Sequence, residues 1–405
     1  LSQGELAKRV LLKAPTREEQ LVQFVRELVA IPSPSGQEGP VAARLRQEFV
    51  DLGYDEVVVD RLGNVAGRMG RGKKVILYDA HMDTVAVSDP TQWPHDPYRG
   101  RLADGICYGL GAGDDKGPLA AMVYGGSLLK DLRLPGDYTL WVVGTVGEED
   151  AEGLGIASFL QETGIKPDFV VIGEASQLRL MRGHKGRALI RVTVPGRAAH
   201  ASTPQLADNP IYKLLPLIER VSRRDGSYPV DPFLGPGTAA VTSIDCPSPS
   251  LNTIPGESSF YIDRRLTLGE TRGDLIRELA ALVAGTEARA EIVPFLGRSY
   301  TGAELRSEEF FPPWVLATEH PFLEKAREAW RLLFGQEPVV AKWDFSTDGT
   351  FTMGVAQIPT IGFGPGDPQY AHSPLDQVPV VELVKASAFY ALLPAILGQS
   401  SSERS

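Results

Sequence analysis

His81, Asp83, Asp114, Asp115, Glu148, Glu149, Glu174 and His372 are the residues of this chain best placed to do chemistry. Several of them end apolar runs. Lys74-Val75-Ile76-Leu77-Tyr78-Asp79-Ala80 runs into His81-Met82-Asp83, Tyr138 to Val146 runs into Glu148-Glu149-Asp150, and Phe169-Val170-Val171-Ile172 runs into Glu174. Short runs rich in β-branched residues read as buried strands. In open α/β sheets, ligands bind beyond the carboxyl ends of the strands. Imidazole and carboxylate groups gathered there suit a hydrolytic metal centre.

Each piece also has a plainer reading. His81 and Asp83, two apart at a strand end, share a face. Asp83 can accept a hydrogen bond from a metal-binding His, or the pair is a solvated turn. Gly109-Leu110-Gly111-Ala112-Gly113-Asp114-Asp115-Lys116-Gly117 superficially resembles a dinucleotide fingerprint, but Asp114 stands where the third glycine belongs. A carboxylate there would repel a pyrophosphate. Asp114 or Asp115 caps the following helix, or one of them bridges two cations. Glu148-Glu149 is an acidic turn, or a pair that divides metal binding from proton transfer. His372 follows the glycine-rich Gly362 to Gly366 loop, and a lone loop His is usually just solvated. His200 lies just past the first strand of a second structural unit. His95 and His320 have weaker context, and His184 sits among Arg182, Lys185 and Arg187, where an anion contact is conceivable. No His-Glu-x-x-His, Gly-x-Ser-x-Gly or Walker A motif is present.

The elements that must position these residues follow from periodicity. Helical patterns at 17–31, 39–52, 118–132 and 153–163 alternate with strands at 56–60, 64–68 and 74–80. That alternation predicts a largely parallel sheet with helices on both faces. From about 187 the order changes to strand, helix, two strands, helix and strand, the last at 288–293, which is a ferredoxin-like pattern. The expected organisation is therefore an α/β catalytic domain in two parts, 1–186 and 297–405, around an inserted α+β domain at 187–296. The first residues read as an exposed helix or frayed start, and Gln399 to Ser405 as a disordered tail.

At 405 residues the chain exceeds one hydrophobic core. Its apolar (43%) and charged (23%) fractions are those of a soluble globular protein. A net charge of −10 argues against nucleic acid and anionic membranes as partners. No apolar stretch approaches the ~20 residues needed to cross a bilayer. Two cysteines, Cys107 and Cys246, are too few for a disulfide framework and fit a cytoplasmic location.

Taken in order, Ala80-His81-Met82-Asp83-Thr84-Val85, the Gly109 to Gly117 loop, Gly147-Glu148-Glu149, Ile172-Gly173-Glu174 and Ala371-His372-Ser373 resemble the M20 family of dinuclear zinc peptidases and amidohydrolases. Asp89-Pro90, Trp93, Asp96-Pro97-Tyr98 and Arg182 to Arg187 look most like a hydrolase subgroup linked to selenium metabolism. The resemblance implies two divalent ions, zinc first and cobalt or manganese as alternatives. His81, Asp114 and Glu174 would hold one ion, and Asp114, Glu149 and His372 the other. It also implies a cis peptide after Asp114, Glu148 as general base, and Asp83 orienting His81. His200 would reach the site from the inserted domain, often across a dimer, so a homodimer is expected. Asn252 and Arg265 match positions near the substrate, although Arg265 is equally well explained by an ion pair with Asp263 or Glu257. The implied reaction is hydrolysis of an amide in a small N-acyl amino acid or short peptide by a metal-activated water. A biosynthetic deacylase of the acetylornithine or succinyl-diaminopimelate type is the neighbouring reading, and a metal-binding subunit without turnover the more distant one. Leu110 and Ala175 depart from the family's usual Arg and Pro and imply altered loop packing or specificity.

Overall fold

The computed structural model describes residues 1–224 and 226–399. Its largest sheet has the strand order Glu56–Val59, Val65–Met69, Tyr138–Thr145, Lys74–His81, Phe169–Ile172, Thr360–Gly362, Leu180–His184, Trp314–Val315, with Val340–Trp343 also beside Leu180–His184. The centre is parallel, with Lys74–His81 between Tyr138–Thr145 and Phe169–Ile172. Both flanks carry antiparallel pairs. Tyr138–Thr145 is buried along its whole length, which explains its unbroken apolar run. Its Trp141 meets Phe159 of the helix Leu154–Thr163. Gly144, on the other face by strand alternation, lies against Leu45 of the helix Gly39–Asp51. Helices therefore cover both faces of a mixed sheet.

A second sheet has the order Thr238–Asp245, Glu257–Leu266, Gly186–Pro195, Arg289–Ile292, all antiparallel. Burial alternates along Gly186–Pro195. Ala188, Ile190, Val192 and Val194 face a separate apolar core with Leu214, Leu217, Leu275 and Leu279 of the helices Pro210–Ser222 and Arg272–Val283. Phe310–Phe311 also pairs with Gly186–Pro195, so the chain still touches this sheet beyond residue 296.

The N-terminal helix Gln3–Lys13 is neither frayed nor simply exposed. Ser2 and Glu5 form a capping box, and Leu6, Ala7 and Val10 are buried. The charged residues around that narrow apolar stripe obscure it in the sequence. The helix Val380–Leu397 is long and apolar enough to cross a membrane, yet 78% of it is buried. It packs against the helices Lys116–Leu132 and Pro321–Phe334, as an all-round apolar helix in a core should. Of the expected tail, Gln399 is described and its side-chain oxygen accepts from Gln3 Nε2 at 2.8 Å, while residues 400–405 lie outside the described ones; so does Asp225, to which the helical pattern from about 209 extends beyond the observed helix Pro210–Ser222. Cys107 sits in the short strand Ile106–Tyr108 opposite Val378. Burial pushes its thiol up to about 12, and it takes no part in the site described next.

Gly362 shows how tightly the sheet supports its edge. A Cβ there would lie 1.8 Å from the Trp343 ring, and Trp343 Nε1 donates to the Ala175 carbonyl beside Glu174. Gly362→Ala should therefore cost about 2–3 kcal/mol or more through overpacking. A thermal melt indistinguishable from the native protein would contradict that packing.

Candidate active site

The parallel strands align their carboxyl ends. His81 pairs with Thr145 and Asp79 with Ile172, so His81, the turn at Gly147 to Glu149, and Glu174 emerge at one edge. The helix Lys116–Leu132 starts beneath them and is entered through a cis peptide between Asp114 and Asp115. His372 arrives from the loop after Thr360–Gly362 with φ of 54°, an uncommon backbone state for a residue with a side chain.

Asp114 is the centre of the arrangement. Its Oδ1 is 3.0 Å from His81 Nε2, and its Oδ2 is 3.3 Å from His372 Nε2. His81 Nε2 also lies 3.5 Å from Glu174 Oε1, and His372 Nε2 lies 2.8 Å from Glu149 Oε2. One carboxylate thus turns one oxygen to each of two His–Glu pairs. Glu148 Oε2 stands 3.9 Å from His81 Nε2. His81, Asp114 and Glu149 offer donor atoms within 4.8 Å of one another, and so do His81, Asp115 and Glu174. Asp115 Oδ2, however, accepts the His81 main-chain N–H at 3.1 Å. That bond makes Asp115 a support for His81 and leaves Asp114 as the shared donor.

Acidic groups crowd this edge, and their proton affinities record it. Burial drives Glu148 well above the usual carboxylate range and Glu174 to about 7. Burial, with Asp114 next to it, also raises Glu149. Burial opposes charge on Asp114, but hydrogen bonds from His372 and His81 hold it below its ordinary value. Bonds to Asp114 and Glu149 raise His372 to about 10. Burial disfavours the His81 cation, yet its bonds to Asp114 and Glu174 hold it well above the usual His value. The cluster thus demands positive charge at two places, beside each imidazole. A donor set of two imidazoles and three carboxylates, one of them shared, fits a pair of divalent cations.

The supporting residues differ in part from the sequence reading. His81 Nδ1 bonds the main-chain carbonyl of Asp83 at 2.9 Å. The Asp83 carboxylate instead accepts from Glu148 N–H, Glu149 N–H and the Ser35 hydroxyl. It holds the acidic turn, while its backbone orients the His. Sequence reasoning missed Asp376, whose buried carboxylate accepts the N–H groups of Gly111 and Gly113 and fixes the loop before Asp114. No local motif announces it.

The cluster opens into a pocket of about 420 Å³. Arg187, Arg265, Phe345, Ser346 and Ala175 line its far wall. Arg265 and Arg187 are register partners on neighbouring strands. Arg265 is held by both Asp263 oxygens, at 2.7 and 3.1 Å, so the expected ion pair exists and the residue still reaches the pocket. His200 and Asn252 do not line it. They meet each other at 3.4 Å on an exposed surface of the second sheet's unit. His184 offers no free ring nitrogen to an anion. It is buried, its Nδ1 bonds the Lys185 carbonyl, and its Nε2 accepts the Thr347 N–H. Burial lowers it to about 4, so it is a neutral structural group.

The chain resembles known proteins over nearly its whole length. Residues 77–395 match the model of peptidase family M20/M25/M40. The Escherichia coli K12 protein YgeY, itself uncharacterized, is 39% identical over 96% of both chains. A putative [LysW]-lysine/[LysW]-ornithine hydrolase of Pyrobaculum aerophilum is 28% identical over 93% of this chain and 97% of its own. A succinyl-diaminopimelate desuccinylase of Gluconacetobacter diazotrophicus is 29% identical over 66% and 74%. The fold is shared with the M20 metallo-carboxypeptidase Sso-CP2 of Sulfolobus solfataricus at a TM-score of 0.73, with 16% identity, 93% of this chain and 98% of that one covered. The aminopeptidase PepT of Bacillus cereus gives 0.71, with 21% identity, 94% and 99% covered. A family match across more than three quarters of the sequence, on a chain whose sheet edge gathers imidazole and carboxylate groups of metal-ligating chemistry, makes this protein a metallohydrolase belonging to peptidase family M20/M25/M40.

Proposed function

We propose that the protein hydrolyses an amide bond in a small N-acyl amino acid or short peptide, using two divalent ions and Glu148. The observation that carries this reading is Asp114 with one oxygen toward each His–Glu pair and Glu148 alongside. His81, Asp114 and Glu174 would hold one ion; Asp114, Glu149 and His372 would hold the other. Zinc suits these donors best, with cobalt or manganese as alternatives. Bound there, the ions supply Lewis acidity toward the amide oxygen and acidify water. Glu148, with Oε2 3.9 Å from His81 Nε2, takes the proton of the attacking water and returns it to the leaving nitrogen. Asp83 holds the turn that presents Glu148. Arg265 offers its guanidinium to a substrate carboxylate.

The second sheet's unit serves as the inserted lid and dimerisation domain. Its exposed Tyr212, Leu215, Ile244 and Leu251 supply apolar area for a second copy. His200, with Asn252, reaches the pocket of that copy and steadies the oxyanion there. The free cysteines fit the expected cytoplasmic location. A deacylase of the acetylornithine or succinyl-diaminopimelate type is the second reading, favoured by the desuccinylase relative.

Metal analysis and turnover should be measured together, with zinc, cobalt or manganese added, on a panel of N-acyl amino acids and dipeptides. About two ions per chain are expected, with turnover that a chelator abolishes and added metal restores. Turnover that survives complete metal removal would overturn the mechanism. The acyl and side-chain preferences across the panel separate the general peptidase from the biosynthetic deacylase.

A further inference from the structure

We propose that Glu38 is a positioning residue for the hydrolytic site, holding the turn that carries Glu148 and Glu149. The proposal rests on the hydrolase reading above but concerns a residue outside the cluster. Glu38 occupies the N-cap position of the helix Gly39–Asp51, yet its side chain makes no bond to that helix. It turns the other way. Oε1 accepts the Gly147 N–H at 3.1 Å and the Gly36 N–H at 3.0 Å. The carboxylate is fully buried, and Oε2 has no partner among the described residues. A buried acid that forgoes its own helix costs stability. What that cost secures here is the residue before Glu148.

Two carboxylates therefore grip three consecutive amides. Glu38 takes Gly147, and Asp83 takes Glu148 and Glu149. Gly147 has φ of 70°, a left-handed conformation that suits glycine. The loop bearing Glu38 is itself pinned from the far side by the hairpin of Pro294–Arg298 and Glu304–Glu308. The Arg298 carbonyl closes over Gly36, and the Tyr300 ring covers Gly39 and Gly63. The Tyr300 hydroxyl donates to the Gly63 carbonyl, and Leu305 of the same hairpin lies against Gly147. Glu38 thus links a hairpin near the second sheet to the turn that presents the general base.

The test compares Glu38→Asp with Glu38→Gln in the metal-loaded enzyme. Asp keeps the carboxyl group and is a better helix N-cap, so folding is retained. Its shorter side chain withdraws the carboxylate by about 1.5 Å and loses Gly147. Gln keeps an acceptor at the position of Oε1. Glu38→Asp should lower kcat about 100-fold with KM within about threefold. Hydrogen exchange across residues 146–151 should quicken about tenfold, with metal content unchanged. Glu38→Gln should stay within about fivefold of native in kcat, because an amide oxygen accepts at the place of the carboxyl oxygen. A residue that serves only the helix predicts the reverse order. Native kcat and native exchange in Glu38→Asp would overturn the proposal, as would equal loss in both variants. If no substrate in the panel turns over, the exchange measurement still decides on Glu38 and the hydrolase reading fails separately.

Discussion

Glu148→Gln is expected to keep both metal ions and to lose hydrolysis by about three orders of magnitude in kcat, or about 4 kcal/mol of transition-state stabilisation. Gln matches Glu in shape but cannot carry the proton from water to the leaving nitrogen. The ligand set does not need it, since each imidazole already has a carboxylate partner other than Glu148: Glu174 for His81 and Glu149 for His372. Metal content by elemental analysis should therefore match the native protein, and substrate should still bind. Asp114→Asn makes the contrast. It removes charge from the one carboxylate that faces both histidines, so metal and activity should fall together. Metal kept with activity lost in the first, and both lost in the second, separates proton transfer from metal binding. Native turnover in Glu148→Gln would remove it as the base.

The parts of this site that the sequence shows plainly are those tied to strand ends. His81, Glu149 and Glu174 each follow a run of apolar residues, and parallel register alone brings such ends to one edge. Asp114 is visible because two aspartates before a helix exceed what a cap needs. His372 became readable only through family resemblance, since it sits in a loop whose path local pattern does not set. The supports were hidden for the same reason. Glu38, Asp376 and the Asp83 carboxylate accept from amides that lie 65 to 265 residues away, and periodicity carries no information about such partners. The ferredoxin-like order was legible because its two long strands, Gly186–Pro195 and Glu257–Leu266, alternate buried and half-buried residues over most of their length. The hairpin at 294–308 was not, because its strands bury only Leu305 and otherwise alternate exposed and half-buried residues with little apolar contrast.

His200→Ala should lower kcat by about 100-fold or more while leaving metal content unchanged, and its rescue shows where the residue acts. In this chain His200 bonds Ser202, lies near Asn252 and does not line the pocket around Asp114. Either the inserted unit closes over its own site, or a second copy brings its His200 in. Mixing His200→Ala with Glu148→Gln distinguishes these. If the residue acts across a dimer, a mixed pair contains one site with a native Glu148 from one chain and a native His200 from the other. Random exchange between equal amounts makes about half the dimers mixed, each with one working site of two, so about a quarter of native activity should return. If His200 closes over its own chain, no mixed dimer contains a complete site and activity stays at the sum of the two variants. That recovery needs subunit exchange, so mixing is done by co-expression, where both chains assemble together. Activity at the additive level in co-expressed protein would place His200 in its own chain's closed state and leave the exposed Tyr212, Leu215, Ile244 and Leu251 without a catalytic role.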